Sequence, residues 1–312
     1  TARLATLVAA LVAHVHVLGP HDESAARRDA VLVFLPTYAA LEQVFNLLLR
    51  WARDCFARGA LPAGMDPAAC ARPGRAAPDF PVAPMELHVL HSSIGVDVAV
   101  GFMQRASAAG TRKVVLATNI AETSVTIPGV SVVIDACMTN RVEWDAAGQT
   151  TKAQVVWASR SQLDQRKGRT GRTKLAGDVF RLIPETYLRR VDRYEAPDVL
   201  RRSLRDESLL LSCSEHRLMR TPALVFRRCL DAPPDGTVAA AVEALVDVRL
   251  LRRRPSKRGA APSYEPTDLG RLLSMLPVQF EEGRMLVAAG LAGLVEGGIV
   301  AGAVASVVPW PI

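Results

Sequence analysis

The stretch that organises the chain is residues 159–172, which read Ser159-Arg160-Ser161-Gln162-Leu163-Asp164-Gln165-Arg166-Lys167-Gly168-Arg169-Thr170-Gly171-Arg172. Arg169 and Arg172 are three residues apart, so on a helical turn their guanidinium groups would point the same way, with Gln165 one turn earlier. Arginine forks bind oxygen atoms in pairs, and an amide can hold a water molecule. Gly168 and Gly171 leave room for a close approach to the backbone. The pattern favours a polyphosphate site; the alternative is a basic helix end exposed to solvent.

A second stretch supports the polyphosphate interpretation. Residues 117–127 read Ala117-Thr118-Asn119-Ile120-Ala121-Glu122-Thr123-Ser124-Val125-Thr126-Ile127. They follow the strand-like run 113–116 and place small polar side chains just past its end. Open α/β sheets bind their ligands at that position.

The two stretches together resemble motifs V and VI of the DEAH-type superfamily 2 RNA helicases, which read TNIAETS and QRxGRxGR in that family. Both motifs are complete here, at residues 118–124 and 165–172, and in the family's order. The wording of residues 155–162 resembles most closely the plant helicases that also carry CCCH zinc fingers. The resemblance implies a RecA-like domain that uses ATP and Mg²⁺ and acts on RNA.

The resemblance also implies a role for each motif position on the ATP side. Gln165 would position the attacking water, while Arg169 and Arg172 would stabilise charge on the transferred phosphoryl group. An aromatic residue near the end of the helix predicted at 94–108 would stack on the base; Phe102 is the candidate, Met103 competes with it, and core packing is the alternative. The implied nucleotide-binding residues are Ser124, Thr126, Gly168 and Phe102. Pro128 stands where the family usually has an Asp at the ribose, which leaves nucleotide selectivity open.

On the RNA side, the resemblance assigns three residues to the sugar-phosphate backbone. Thr118 and Asn119 would present a hydroxyl and an amide to backbone oxygens, a contact that carries no sequence information. Ser93 follows the strand predicted at 87–91 and would contact RNA phosphates. For Glu122 we prefer a structural role as a cap.

Composition limits the class of protein. The 312 residues are 49% apolar, which predicts a globular chain with a sizeable core. A net charge of +7 and a pI near 9.5 fit a phosphate-rich partner. Five cysteines without a C-x-x-C pair argue against a disulfide framework and a metal site, so we expect an intracellular protein of the nucleus or cytoplasm. Residues 4–18 are too short to span a bilayer, and we predict a helix laid against the sheet rather than a signal peptide or membrane segment.

Strands and helices alternate over the first 185 residues, which predicts an α/β fold with a parallel sheet. Its apolar strands are expected at 31–36, 87–91, 114–118, 130–135 and 177–183, with a β-hairpin at 140–157. For Trp144 and Trp157 of this hairpin we favour core packing over a wedge that separates bases.

The rest of the chain is predicted to be helical. By resemblance we expect a RecA-like domain at 1–185, a degenerate winged-helix at 186–258 and the start of a helical ratchet domain at 259–312. An amphipathic helix is expected at 199–211, a basic wing or loop at 250–258 and a packed core helix pair at 291–308. Residues 58–84 read as a loop insertion.

Neither a G-x-x-x-x-G-K-[ST] phosphate loop nor a DExH sequence occurs in the chain. We therefore expect the C-terminal half of an ATP-dependent RNA helicase, partnered by an N-terminal RecA half of the same polypeptide and by an activator protein, and inactive by itself. The main alternative is a non-catalytic RNA-binding or scaffold protein derived from a helicase. A superfamily 2 DNA helicase is a third interpretation, which the TNIAETS wording disfavours.

Overall fold

A computed structural model describes residues 2–18, 30–58, 85–91, 94, 101, 105, 111–122, 126–145, 150–171, 177–216, 219–254, 263–278 and 280–306. The chain divides into an N-terminal unit, residues 1–141 and 153–195, and a C-terminal unit, residues 142–152 and 196–312. This division does not test the predicted limits at 185 and 258, so the winged-helix and ratchet segments remain predictions.

Five strands form the sheet of the N-terminal unit: β1 Ala30–Phe34, β2 Met85–Leu90, β3 Arg112–Ala117, β4 Val130–Asp135 and β7 Asp178–Arg181. They lie in the order β2-β3-β1-β4-β7, and every neighbouring pair is parallel. All five residues of β1 are buried, because a parallel sheet covered on both faces hides both sets of side chains. The predicted α/β fold is confirmed.

The helices described in this unit are α1 Ala2–Leu18, α2 Tyr38–Arg58, α3 Arg160–Lys167 and α4 Glu185–Leu188. α2 contacts β2 and β3, and α3 contacts β4. α1 buries an apolar stripe that shares one core with the alternate side chains Val31 and Val33 of β1, which confirms the predicted helix against the sheet. Thr37 caps α2 as predicted, since its hydroxyl accepts a hydrogen bond from the Ala40 amide at 3.2 Å.

The predicted β-hairpin is present as β5 Met138–Asp145 and β6 Thr150–Trp157, which pair in a separate two-stranded sheet. The preference for a buried Trp157 was wrong: its side chain is 41% exposed, with its ring centroid 6.3 Å from that of Tyr187. Trp144 is half-buried, and the Arg205 guanidinium lies 4.4 Å from its ring centroid within the C-terminal unit.

The helices of the C-terminal unit are α5 Asp198–Arg201, α6 Arg205–Cys213, α7 Pro222–Phe226, α8 Asp235–Asp247, α9 Asp268–Met275, α10 Phe280–Leu291 and α11 Val295–Ser306. The single helix predicted at 199–211 is two helices, because Arg202 adopts an extended backbone that ends α5. The predicted basic wing is an antiparallel pair, β8 Leu251–Arg254 with β9 Ser263–Pro266. Leu245, Leu250 and Leu273 lie in the core beneath it.

The helix pair predicted at 291–308 is present with other bounds, as α10 and α11, but the prediction that it lies in the core was wrong. α10 and α11 pack together through small residues: a Cβ on Gly298 would lie 2.5 Å from the Cβ of Ala289. Their outer surfaces remain open, with Leu291 87% and Ile299 57% exposed. None of the described helices is long and apolar enough to cross a bilayer.

Candidate functional site

The two stretches that the sequence singled out meet at one edge of the parallel sheet. Residues 118–122 follow the carboxyl end of β3, and Asn119–Glu122 form a 3₁₀ turn there. α3, which carries the second stretch, packs against this turn and against β4. Ligands of open α/β sheets bind at the carboxyl ends of the strands, so both stretches lie where a ligand site is expected.

α3 begins with a complete capping box. The Ser159 hydroxyl accepts from the Gln162 amide at 3.3 Å, and the Gln162 side chain accepts from the Ser159 amide at 2.9 Å. The amides of Arg160 and Ser161 donate to the carbonyls of residues 192 and 193, which satisfies the helix N-terminus. These bonds stabilise the start of α3.

α3 presents its residues in opposite directions. Leu163 and Arg166, three apart, are buried, whereas Gln165 is exposed. The helix ends at Lys167, so Arg169 lies in the following turn rather than on a continuous helical face with Gln165. The Nη2 of Arg169 donates to the backbone carbonyl of Glu122, which holds this half-buried guanidinium beside the 3₁₀ turn.

The two glycines of the stretch differ. Gly168 has φ −64°, an ordinary conformation, and caps the end of α3. Gly171 has φ +69°, in the left-handed region that favours glycine. Both glycines were expected to allow a close approach to the backbone. Only Gly171 has a backbone conformation that itself favours glycine.

A buried ion network lies behind this edge. Arg166 is 1% exposed and donates to Glu122 Oε1 through Nε at 2.8 Å, with Nη2 of the same guanidinium 2.6 Å from that oxygen. Its Nη1 donates to Asp135 Oδ1 at 2.8 Å and to the Met138 carbonyl at 3.1 Å. Its guanidinium carbon lies 5.2 Å from the centroid of the Phe34 ring. One cation thus ties α3 to the 3₁₀ turn and to the end of β4.

Burial and charge act against each other in this network. Burial lowers the pKa of Arg166, but the charges of Asp135 and Glu122 outweigh it, so the pKa of the guanidinium is raised and the side chain stays charged. Burial raises the pKa of the Glu122 carboxyl despite the opposing effect of Arg166. Burial also raises the pKa of the neighbouring Cys137 thiol to about 12, which keeps it protonated.

Among the RNA-side residues predicted from the sequence, Thr118 is buried and Asn119 is exposed. Thr126, predicted to face the nucleotide, is exposed. Four predicted residues lie outside the described part of the chain: Ser93, Phe102, Ser124 and Arg172. The predicted insertion at 58–84 lies outside it too, except for Arg58 at its start.

Sequence reasoning missed the part played by Arg166. It proposed a structural role for Glu122 as a cap; the role is structural, and among the described residues its carboxylate accepts from the Arg166 side chain. Two signals were available. Arg166 is three residues after the apolar Leu163, which places it on the buried face of α3, and Asp135 ends a strand that is apolar except for Ser131.

The carboxylates at this edge do not form a metal site. Within the described ranges, no three His, Cys, Asp or Glu side chains are grouped as metal ligands would be. Glu122 and Asp135 both contact Arg166, so what this edge offers to a ligand is guanidinium, amide and hydroxyl groups.

Comparison with known proteins identifies the part of the chain that contains both stretches. Residues 83–174 match the family model described as the helicase conserved C-terminal domain. This range includes β2, β3, the 3₁₀ turn, β4, the hairpin and α3.

Curated relatives match nearly the whole chain. It is 35% identical over 309 residues to the DExH-box ATP-dependent RNA helicase DExH8 of Arabidopsis thaliana, covering 99% of this chain and 26% of that protein. It is 37% identical over 306 residues to the zinc finger CCCH domain-containing protein 4 of Oryza sativa subsp. japonica, covering 98% and 26%. The chain therefore spans about a quarter of the length of these relatives.

The fold matches a solved structure. The crystal structure of the DEAH/RHA helicase HrpB of Escherichia coli aligns over 98% of this chain and 32% of that protein, with a TM-score of 0.65 and 20% identity. At this identity the likeness establishes the fold.

Proposed function

The chain carries the helicase conserved C-terminal domain and resembles DExH-box RNA helicases over nearly its whole length, and from this we propose that it is the C-terminal half of an ATP-dependent RNA helicase. In this proposal an N-terminal RecA half of the same polypeptide closes on the N-terminal unit described here, with ATP between them. Hydrolysis then drives movement along RNA.

One observation supports the proposal above the others. The stretch expected to face ATP and the stretch expected to face RNA are joined at one sheet edge, where the Arg169 side chain donates to the backbone carbonyl of Glu122. Coupling of ATP hydrolysis to movement on RNA requires such contact between the two ligand sites.

On the ATP side, the proposed chemistry is positioning and charge stabilisation. Gln165, exposed on α3, orients the water that attacks the terminal phosphorus. Arg169 and Arg172 neutralise charge that develops on the phosphoryl oxygens, and arginine residues in this role contribute about 10³–10⁵ in rate. Thr126 is exposed beyond the 3₁₀ turn and contributes a hydroxyl.

Mg²⁺ belongs on the other half in this proposal. The ion prefers oxygen ligands, usually one or two carboxylates with substrate phosphates and water. Glu122 and Asp135, the carboxylates at this edge, already contact the Arg166 guanidinium, so they do not fit the ion. The N-terminal half would hold it.

On the RNA side, the proposed contacts go to the sugar-phosphate backbone. Asn119 is exposed at the start of the 3₁₀ turn and can donate its amide to a phosphate. Backbone contacts fix position without reading sequence, as an enzyme that moves along a strand requires.

The proposal is tested in the full-length protein by Arg169→Ala. We expect ATP turnover to fall by about 10³–10⁵-fold, because a charge formed only in the transition state loses its partner. RNA affinity, measured by fluorescence anisotropy, should change little. Lys167→Ala is the matched control, since it removes a neighbouring exposed cation from the same helix end.

Near wild-type turnover in Arg169→Ala would contradict the role assigned to that residue. RNA binding by the wild-type full-length protein without any ATP turnover would favour the scaffold alternative. Stimulation of turnover by DNA as strongly as by RNA would favour a DNA helicase.

A further inference from the structure

The Arg166 guanidinium connects three backbone segments that are distant in sequence. Glu122 is 44 residues away and Asp135 is 31 residues away, and both side chains are buried. Asp135 Oδ1 also accepts from the Cys137 amide at 2.7 Å, and within the described residues Asp135 Oδ2 accepts no hydrogen bond. Arg166 therefore supplies the ion pair of this buried carboxylate, and the Cys137 amide adds a neutral hydrogen bond.

Each end of the network lies next to a residue assigned above to a ligand. Glu122 ends the 3₁₀ turn that begins at Asn119, on the proposed RNA side. Arg166 directly follows Gln165 and precedes Arg169 by three residues, on the proposed ATP side. A shift of the turn against α3 would break the contact between Glu122 and Arg166, so the two sides are held in one arrangement.

The network is a costly way to hold a fold together. Taking charges out of water carries a large desolvation penalty, and buried ion triads replaced by apolar residues of similar volume often leave a protein equally stable. Cys137, beside Asp135, also has φ +58°, a strained conformation for a residue with a side chain. A buried charged network with adjacent strain is typical of a site where geometry matters more than stability.

Resting on the proposed function, we propose that Arg166 is a positioning residue that couples the two ligand sites. Through Glu122 it fixes the RNA-facing turn relative to Gln165 and Arg169. RNA bound at the turn then sets the geometry of the ATP-facing side chains, and the pair thereby determines how strongly RNA stimulates ATP hydrolysis.

The first test removes the network while keeping the fold. Arg166→Met, Glu122→Leu and Asp135→Asn are combined in the full-length protein, which leaves no unpaired buried charge. We expect thermal unfolding close to that of the wild type, while RNA-stimulated turnover falls about 10–100-fold, as misplaced reacting groups do. A merely structural network predicts the opposite: restored stability would restore full stimulation, and that result would overturn the proposal.

The second test keeps the size and shape of every side chain and does not depend on how the triple variant folds. Glu122→Gln retains an oxygen that can accept from Arg166 but loses the charge that strengthens the bond. We expect kcat of the RNA-stimulated reaction to fall about 10-fold or more, with KM for ATP and the Kd for RNA nearly unchanged, because neither Glu122 nor Arg166 is assigned to a ligand. Unchanged kcat in this variant would overturn the coupling role.

Glu195→Gln is the matched control. Glu195 also holds α3, since its carboxylate accepts from the Gln162 side chain at 3.2 Å, and its charge is the smallest of the influences on the pKa of Glu122. We expect wild-type stimulation from it. Loss of stimulation equal to that of Glu122→Gln would mean that any disturbance of α3 suffices, which contradicts a specific pair. Wild-type protein without RNA-stimulated turnover would refute the proposed function itself, before any variant is compared.

Discussion

Two arginine-carboxylate networks, one in each unit, use the same chemistry in opposite surroundings. In the N-terminal unit, Arg166 is shared by two buried carboxylates. In the C-terminal unit, Arg252 and Arg254 of β8 share the Glu265 carboxylate of β9 and remain largely exposed. The two networks differ in their exposure to solvent. Water compensates an exposed charge when its partner is removed, whereas a buried charge has only its protein partners.

The two networks have different structural roles. The exposed one lies on the outside of a short hairpin, where arginines that flank a carboxylate on the facing strand support pairing and solubility. The buried one binds the 3₁₀ turn, β4 and α3 at once, so it fixes their relative positions. We expect substitutions in the exposed network to cause small and additive losses of stability. Substitutions in the buried network should cause large and cooperative losses.

The largest effect on stability should come from removing the buried cation. We expect Arg166→Ala to lower the free energy of unfolding by about 3–5 kcal/mol, because it leaves two buried carboxylates without the cation that they share. Their ionisation then costs more, so the loss should be larger at about pH 8 than at about pH 5. Chemical denaturation at both pH values measures it.

Arg254→Ala is the control for that measurement, since it removes an arginine from the exposed network. Its unfolding curve should be close to that of the wild type and should change little with pH in the same range. Equal losses of stability from the two variants would contradict the difference between the buried and the exposed network.

The same contrast between closed and open surroundings can be tested at two glycines near helix starts in the C-terminal unit. A Cβ on Gly270 of α9 would lie 2.2 Å from the Leu250 carbonyl oxygen, whereas a Cβ on Gly236 of α8 meets nothing within 4 Å. We expect Gly270→Ala to destabilise by about 1–3 kcal/mol through overpacking. Gly236→Ala should stabilise by about 0.4–1 kcal/mol, since it restricts the unfolded chain. Thermal unfolding of the two variants measures both effects. A Gly270→Ala variant more stable than Gly236→Ala would contradict the packing described at Leu250.

The smallest effect should come from the exposed carboxylates at low pH. Hydrogen bonds from Arg254 and Arg252 lower the pKa of Glu265 below its usual value of 4.5, and those from Arg253 and Tyr264 lower the pKa of Glu243. A lowered pKa in the folded state adds stability above the usual pKa, and this stability is lost as the pH falls through the folded value. Glu265→Gln should therefore differ slightly from the wild type near neutral pH, and the difference should vanish in acid. A difference that grows in acid would show the sign to be wrong.

Much of the fold could be predicted from the sequence because its signals are local. Apolar runs such as 31–35 and 132–134 are typical of a parallel sheet covered on both faces, and the hairpin followed from two strand-like runs around a turn. The errors arose where local pattern underdetermines burial. Trp157 and the α10–α11 pair are apolar by sequence, yet no described part of the chain covers their outer surfaces.

The sequence by itself determined which residue types the proposed site contains: the glycine-spaced arginines and the polar stretch after β3 are each continuous in the chain, so their order is readable without a structure. Only the tertiary structure decided which groups compensate the arginine that turns inward. Gln165, Arg166 and Arg169 lie within five residues of one another, and the spacing of Arg166 from Leu163 indicates a buried position without showing which groups compensate its charge. Those groups are Glu122 and Asp135, which the folded sheet brings beside α3 from 44 and 31 residues away. Burial and charge pairing are properties of that assembled edge, because desolvation depends on everything that surrounds a group rather than on its neighbours in sequence.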